Sequence, residues 1–373
     1  MKITILSVIL TLILILSACS KKSISERTLE KMNLHEKISQ LFILQPEALK
    51  LSPDDPDNTT TVSSSTTEFL KKYPIGGVIF FGRNVQNPDQ LTSFTASLQN
   101  NSTIPLFMSI DEEGGKVARI ANSDNFNEPK YSSMEQIGET NNTSNAYEVG
   151  HTIGTYLKKY GFNLDFAPVA DINTNPQNRV IGNRAFGSTP NLVSDMVSAT
   201  IDGFHKTGVM CCIKHFPGHG DTSKDTHDEY VAVNKTWNEL LSCELIPFIN
   251  SLHSTDMVMI AHITTPNITS DNLPASLSQD IIKGKLRNEL GFNGVVITDS
   301  LRMGAITNHY SAAECAIKTI LAGTDIILMP NDFMEAYNGI YNAVKDGTIT
   351  EDNINESVLR ILKLKEKYNL LAD

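Results

Sequence analysis

A single (β/α)8 TIM-type barrel is the fold class this sequence predicts, and three observations predict it. First, short apolar runs recur eight times: "LFIL" at 41, "GVIFF" at 77, "LFMSI" at 106, "FNLDFA" at 162, "VMCCI" at 209, "DMVMIA" at 256, "GVVIT" at 294 and "DIILM" at 325. None alternates cleanly with polar residues, so each is expected to be buried on both faces, as parallel strands are. Second, segments of roughly 25 to 50 residues separate the runs, and most hold a helical pattern, the rhythm of strand–helix units. Third, the runs lead into chemically capable residues: Arg83 and Asn84, Asp111, Pro168 and Asp171, Lys214 and His215, His262, then Asp299. In a barrel every strand's C-terminal end opens on one face, so these residues would converge there. A doubly wound open sheet is the alternative arrangement for the same pattern.

The elements follow in order. "MKITILSVILTLILILSAC" places Lys2 before an apolar run from Ile3 to Leu16, with the small Ser17 and Ala18 ahead of Cys19. The run falls short of the roughly 20 residues of a membrane span, so residues 1–18 are expected to be an export signal rather than part of the fold. "LSAC" resembles a bacterial lipoprotein signal, which implies cleavage before Cys19 and lipid on its thiol. An uncleaved anchor is the alternative. Either way the rest of the chain would lie outside the cytoplasmic membrane, with residues 19–24 as a short tether and 25–373 as the barrel. "NLHEKISQLF" opens a helix with capping-box spacing between Asn33 and Glu36. "LSPDDPDNTTTVSSSTTE" (51–68) is polar and reads as a long loop after the first strand. Near the end, apolar residues at 354, 358, 361 and 362 mark an amphipathic helix.

The formal charge is −11 and no basic run interrupts it, so nucleic acid is not an expected partner. Cys211, Cys212, Cys243 and Cys315 have no disulfide or zinc-framework spacing and are read as buried thiols. No cofactor is expected, and the barrel is expected to be a monomer.

The densest chemistry lies in "KHFPGHGDTSKDTHDEY", residues 214–230. Zinc is one reading of so many histidines, but no cysteine pair or H-E-x-x-H pattern accompanies them, so no metal is assigned. "PGHG" is turn chemistry, and His219 and Asp221 are expected to brace the loop. This stretch, with "DEEGGKVARI" (111–120), "VIGNRAFG" (180–187), "AHITTP" (261–266) and "PASLSQDIIKGKLRNELGFNGVVITDSLRMGAI" (274–306), resembles glycoside hydrolase family 3, most closely its β-N-acetylglucosaminidase branch. The motifs run in the family's order over nearly all of the chain after the signal.

The resemblance implies roles. Asp299 falls on the family's nucleophile, a carboxylate that attacks an anomeric carbon and gives retention. Read alone, Asp299 could equally be a helix N-cap. His227 falls on the general acid/base and Asp225 on the aspartate that orients it; by composition, "DTHDEY" could be a solvated loop. Imidazole titrates near pH ~6.5, so it suits a group that must act as acid and then as base. Asp111, Arg119, Arg184, Lys214 and His215 fall on substrate contacts. Structural ion pairing is the alternative for the two arginines, and a satisfied core histidine for His215. Three positions depart from the usual pattern: Glu112, Lys116 and Ser300. Glu112 would add negative charge near Asp111. The chain ends soon after the barrel, so no second α/β domain is expected.

The implied activity is a lipid-anchored, retaining exo-β-N-acetylglucosaminidase acting on peptidoglycan fragments or chitin oligosaccharides. A β-N-acetylglucosaminide phosphorylase, another family 3 glycosidase and a non-catalytic glycan-binding lipoprotein are the rivals.

Overall fold

The computed structural model describes residues 22–52, 54–55, 59–222 and 231–371. Cys19, Asp225 and His227 lie outside the described residues, as do 53, 56–58 and 372–373.

The eight apolar runs form eight parallel strands: β1 Phe42–Leu44, β2 Gly77–Phe80, β3 Phe107–Ile110, β4 Leu164–Asp165, β5 Met210–Phe216, β6 Met257–Ile260, β7 Val295–Thr298 and β8 Ile327–Leu328. Each pairs with its sequence neighbours, and β1 also pairs with β8 through Phe42↔Ile327. The Ile297↔Ile326 bridge joins β7 to the β8 run, and Ile326 O accepts Thr298 N–H at 3.1 Å. The sheet therefore closes as a (β/α)8 barrel, not as an open doubly wound sheet. Every strand residue is buried, which is why the runs lack polar alternation.

The lower end of the barrel is plugged. Helix Glu351–Lys367, capped by Thr350, buries Ile354, Val358, Ile361 and Leu362. Its polar residues meet groups at the strand starts. Arg360 Nε donates to Asp325 at 2.9 Å, and Lys367 Nζ donates to Asp256 at 2.7 Å. Lys365, fully buried, donates to Gln40 Oε1 at 2.7 Å and lies 4.9 Å from the Phe107 ring centroid. The first described helix, Ile24–Lys31, docks on the same element: Glu366 accepts Ile24 N–H at 2.9 Å and Ser25 N–H at 3.1 Å.

Helix Leu34–Gln40 has the Asn33–Glu36 capping box its sequence calls for. The polar segment 51–68 differs from expectation in its second half. Ser63 Oγ caps Thr66 N–H and opens helix Ser64–Lys72, whose Phe69 and Leu70 are buried. A polar first turn hid an amphipathic helix. Cys211, Cys212 and Cys315 are buried and Cys243 is half-buried; all four are free thiols. Among the described residues, no helix is long and apolar enough to cross a membrane.

Candidate active site

A cavity of about 360 Å³ opens at the C-terminal ends of the strands, and Asp111, Arg119, Arg184, Lys214, His215 and Asp299 all line it. These are six of the residues singled out in the sequence, drawn from the ends of β3, β5 and β7 and the segment after β4.

Its wall is an ion-pair network. Lys214 Nζ lies 2.7 Å from Asp111 Oδ1 and 2.6 Å from Glu113 Oε1. Arg184 grips Glu113 from the other side through Nε (2.8 Å) and Nη2 (2.7 Å). Arg119 Nη2 stands 3.6 Å from Asp111 Oδ2. Burial alone would raise the Glu113 carboxyl; Arg184 and Lys214 outweigh it and hold it far below the carboxylate range. Burial pulls Lys214 down, but Asp111 and Glu113 more than offset it, so the amine stays charged. Arg184 is thus both an ion-pair member and a cavity wall.

His215 is a placed donor–acceptor rather than a mere core residue. Its Nδ1 donates to Asp171 Oδ2 at 2.7 Å, which leaves Nε2 facing Arg184 Nη2 at 3.5 Å. Asp171 also accepts His215 N–H at 3.1 Å and His219 N–H at 2.6 Å. Burial would raise Asp171; His215 leads the groups that keep it lowered instead. The turn that carries these groups needs its glycines. Gly218 has φ +121, and a Cβ on Gly220 would sit 1.8 Å from Ile172 O. His219 and Asp221 do brace the loop: Asn178 donates to His219 O at 2.8 Å, and Asp221 meets Thr174 and Lys235. The Lys214–His215 peptide is cis.

Asp299 follows β7, its N–H bonded to Ile260 O at 3.0 Å. Its Oδ1 accepts Ser300 N–H at 2.7 Å, and among the described residues no cation is in ion-pair contact with it. Burial raises the Asp299 carboxyl, but His215, His262, the Ser300 N–H and Lys214 more than offset this, so it is held below its ordinary value. The group is ionised yet not tied up. His262 steadies the turn behind it, with Nε2 2.9 Å from Ser300 O and Nδ1 2.7 Å from Ser276 Oγ.

Glu112, next to Asp111 in sequence, does not line the cavity. It is fully buried and turned away from the cavity, accepting Ile120 N–H at 3.0 Å, Ala121 N–H at 2.8 Å and Tyr156 O–H at 2.9 Å. Burial outweighs these bonds and raises its carboxyl above its ordinary value. Its backbone N–H donates to Asp165, a second buried carboxyl pushed well up by burial. Glu113, Asp171 and His262 have roles that sequence reasoning missed. Asp171 and His262 carried a signal, since both stand just past apolar runs; Glu113, inside "DEEGG", carried none.

Among the described residues, one group has metal-ligand geometry, His205, Cys211 and Asp256. It sits at the strand starts, away from the cavity. Asp256 there is already engaged by His205 (2.9 Å), Lys367 (2.7 Å) and Tyr368 (2.7 Å), and an ammonium beside it disfavours a cation.

The family model "Glycosyl hydrolase family 3 N terminal domain" matches residues 33–364. Beta-hexosaminidase A of Pseudoalteromonas piscicida is 34% identical over 350 residues, covering 86% of this chain and 58% of that protein. The glycoside hydrolase family 3 β-N-acetylglucosaminidase structure from Paenibacillus sp. str. FPU-7 superposes with TM-score 0.83 at 36% identity, covering 92% of this chain and 64% of that one. The beta-glucoside phosphorylase BglX superposes with TM-score 0.81 at 25% identity, covering 94% and 62%. The chain thus spans less than two thirds of the length of these relatives.

Proposed function

The chain belongs to glycosyl hydrolase family 3, and from that premise we propose that it is a retaining exo-β-N-acetylglucosaminidase, lipid-anchored through Cys19, that removes terminal GlcNAc from peptidoglycan fragments or chitin oligosaccharides. One observation carries the reading. Asp299 is a half-buried, ionised carboxylate without an ion-pair partner among the described residues, at a cavity whose other carboxylates, Asp111 and Glu113, are both paired with cations. A nucleophile left out of ion pairs, beside occupied acceptors, fits attack on an anomeric carbon.

In this mechanism the sugar hydroxyls and acetamido group meet Asp111, Lys214, Arg184 and His215. Asp299 attacks C1 as the glycosidic C–O bond breaks, and the leaving oxygen takes a proton from His227. Neutral His227 then removes a proton from water, whose oxygen attacks C1 and displaces the Asp299 carboxylate. Asp225 holds the imidazole in one tautomer. A histidine acid avoids the repulsion that a glutamate would exert on a leaving group bearing a carboxylate.

Release of 4-methylumbelliferone from its β-GlcNAc glycoside, compared with the β-glucoside, tests the reading; preference for the glucoside would overturn it. The likeness to a beta-glucoside phosphorylase keeps phosphate in view as acceptor. Turnover in phosphate against a non-nucleophilic buffer, with detection of sugar 1-phosphate, separates the two. For the anchor, Cys19→Ala is expected to release the protein from membrane fractions or leave it unprocessed. Unchanged fractionation and processing would remove that part of the proposal.

A further inference from the structure

A second cavity, of about 210 Å³, lies at the closed end of the barrel. Lys283 and Arg287 reach it from helix Asp280–Glu289, and Asn353, Ser357 and Arg360 from the plug helix Glu351–Lys367. Arg287 places it at the strand starts: it bonds Gly294 O, just ahead of β7, and Asp325, just ahead of β8. The cavity shares no lining residue with the one that holds Asp299.

The groups behind this cavity are already paired. Asp325 accepts Arg287 Nη2 at 2.7 Å and Arg360 Nε at 2.9 Å. The other Arg287 nitrogens go to backbone carbonyls, Nε to Gly323 at 3.0 Å and Nη1 to Phe292 and Gly294, each at 3.3 Å. The donors on the cavity wall are not paired. The Lys283 stem lies across Gly323, where a Cβ would stand 2.7 Å from its Cγ, and its ammonium has no partner among the described residues. Arg360 spends Nε alone, so both its Nη atoms remain. Asn353 Oδ1 accepts Thr350 N–H at 3.3 Å and Thr350 O–H at 2.9 Å, which leaves its amide N–H groups. The Ser357 hydroxyl has no described partner either.

The charges do not balance. Lys283, Arg287 and Arg360 line the cavity against one carboxylate, the exposed Glu356, and Asp325 behind them is the only other anion in contact. Arg287 registers the excess: burial lowers its proton affinity, Asp325 opposes that, Arg360 adds to it, and the group ends below its ordinary value. Unpaired donors around a surplus positive charge suit a tetrahedral oxyanion.

We infer that this cavity binds a phosphate group, held by the Arg360 Nη atoms and Lys283 Nζ with Asn353 and Ser357 as neutral donors. Bound there, it would tie helix Asp280–Glu289 to the plug helix at the end of the barrel opposite Asp299. It would therefore act on stability and leave the chemistry alone. The inference does not depend on the glycosidase reading. The phosphate is either a free ion or part of a lipid headgroup, and the experiment separates the two.

Titration calorimetry with inorganic phosphate at pH 8, against chloride of equal ionic strength, should give a dissociation constant on the order of 1 mM. Thermal unfolding should shift upward with phosphate, since only the folded chain has the site. Lys283→Gln should weaken binding about two- to fivefold. Arg360→Gln should weaken it about tenfold or more, because a charged fork is lost. Glu356→Gln should tighten it. None of the three should change release of 4-methylumbelliferone from the β-GlcNAc glycoside. Arg360→Gln also disturbs Asp325; if that variant fails to fold, Lys283→Gln decides, because Lys283 holds no partner. In the second arm the protein is sedimented with phosphatidylglycerol vesicles. Vesicle binding that Lys283→Gln weakens, without a response to inorganic phosphate, assigns the site to a headgroup. Phosphate binding that is equally tight in Lys283→Gln and the unaltered protein overturns the inference, and so does absence of binding in both arms.

Discussion

Arg184 holds Glu113 in a fork, Nε to Oε2 at 2.8 Å and Nη2 to Oε1 at 2.7 Å, with both side chains nearly out of solvent. The same carboxylate also meets Lys214, so one buried anion balances two buried cations that wall the cavity. Glu113→Gln would leave those cations short of a charge and is expected to cost about 3–5 kcal/mol of stability, measured by denaturant unfolding. The sign of the pH effect follows from the depressed carboxyl. Its contribution is fully present above the unfolded carboxylate value of about 4.3 and is lost as pH falls below that toward the folded one. The gap between the two proteins should therefore narrow on acidification; a gap that widens would contradict the ion-pair account.

Asp299→Ala is expected to nearly abolish turnover with the fold retained, because the carboxylate supports no ion pair among the described residues. A fluorinated GlcNAc-type inactivator should label Asp299 in peptide mass analysis. Label on Asp111 or Asp225 would move the nucleophile.

A general acid is worth roughly 10²–10⁴ in rate, most where the leaving group is a poor one. His227→Ala should thus lose far more rate on a disaccharide than on a nitrophenyl glycoside. With the nitrophenyl substrate a burst should appear, and azide should restore turnover by attacking without base help. Equal losses on both substrates, with no azide effect, would reduce His227 to a binding or structural residue.

Lys365 gives a stability prediction remote from the cavity. Burial drops its amine to about 7, outweighing the Gln40 bond and the Phe107 face that favour the charged form. Between about pH 7 and the ordinary lysine value of about 10.4, the unfolded chain binds this proton and the folded chain does not. Stability from this group therefore rises with pH, by about 1.4 kcal/mol per unit. Relative to Lys365→Met, the unaltered protein should gain stability across that window; a difference that stays flat would mean the amine titrates normally.

The barrel was legible because buried parallel strands leave unbroken apolar runs, and all eight runs became strands. Asp111, Lys214, His215 and Asp299 were legible for the same reason: the end of an apolar run announces the residues that follow it. Glu113 was not, because its importance comes from Arg184, 71 residues away in sequence. Glu112 misled in the opposite way. Adjacent to Asp111 in sequence, it points into the protein to satisfy the N–H groups of 119–121, and sequence adjacency says nothing about side-chain direction. The helix Ser64–Lys72 was hidden by a serine- and threonine-rich first turn, in which Ser63 was a cap rather than loop filler.

The plug formed by Glu351–Lys367 also sets a posture. Because Glu366 binds the backbone at Ile24 and Ser25, the chain enters the molecule at the closed end of the barrel, opposite Asp299. Strand β5 alone runs seven residues, about 20 Å at the usual rise, so the backbone at Ile24 and Ser25 and the carboxylate of Asp299 stand at opposite ends of a barrel of that order of depth.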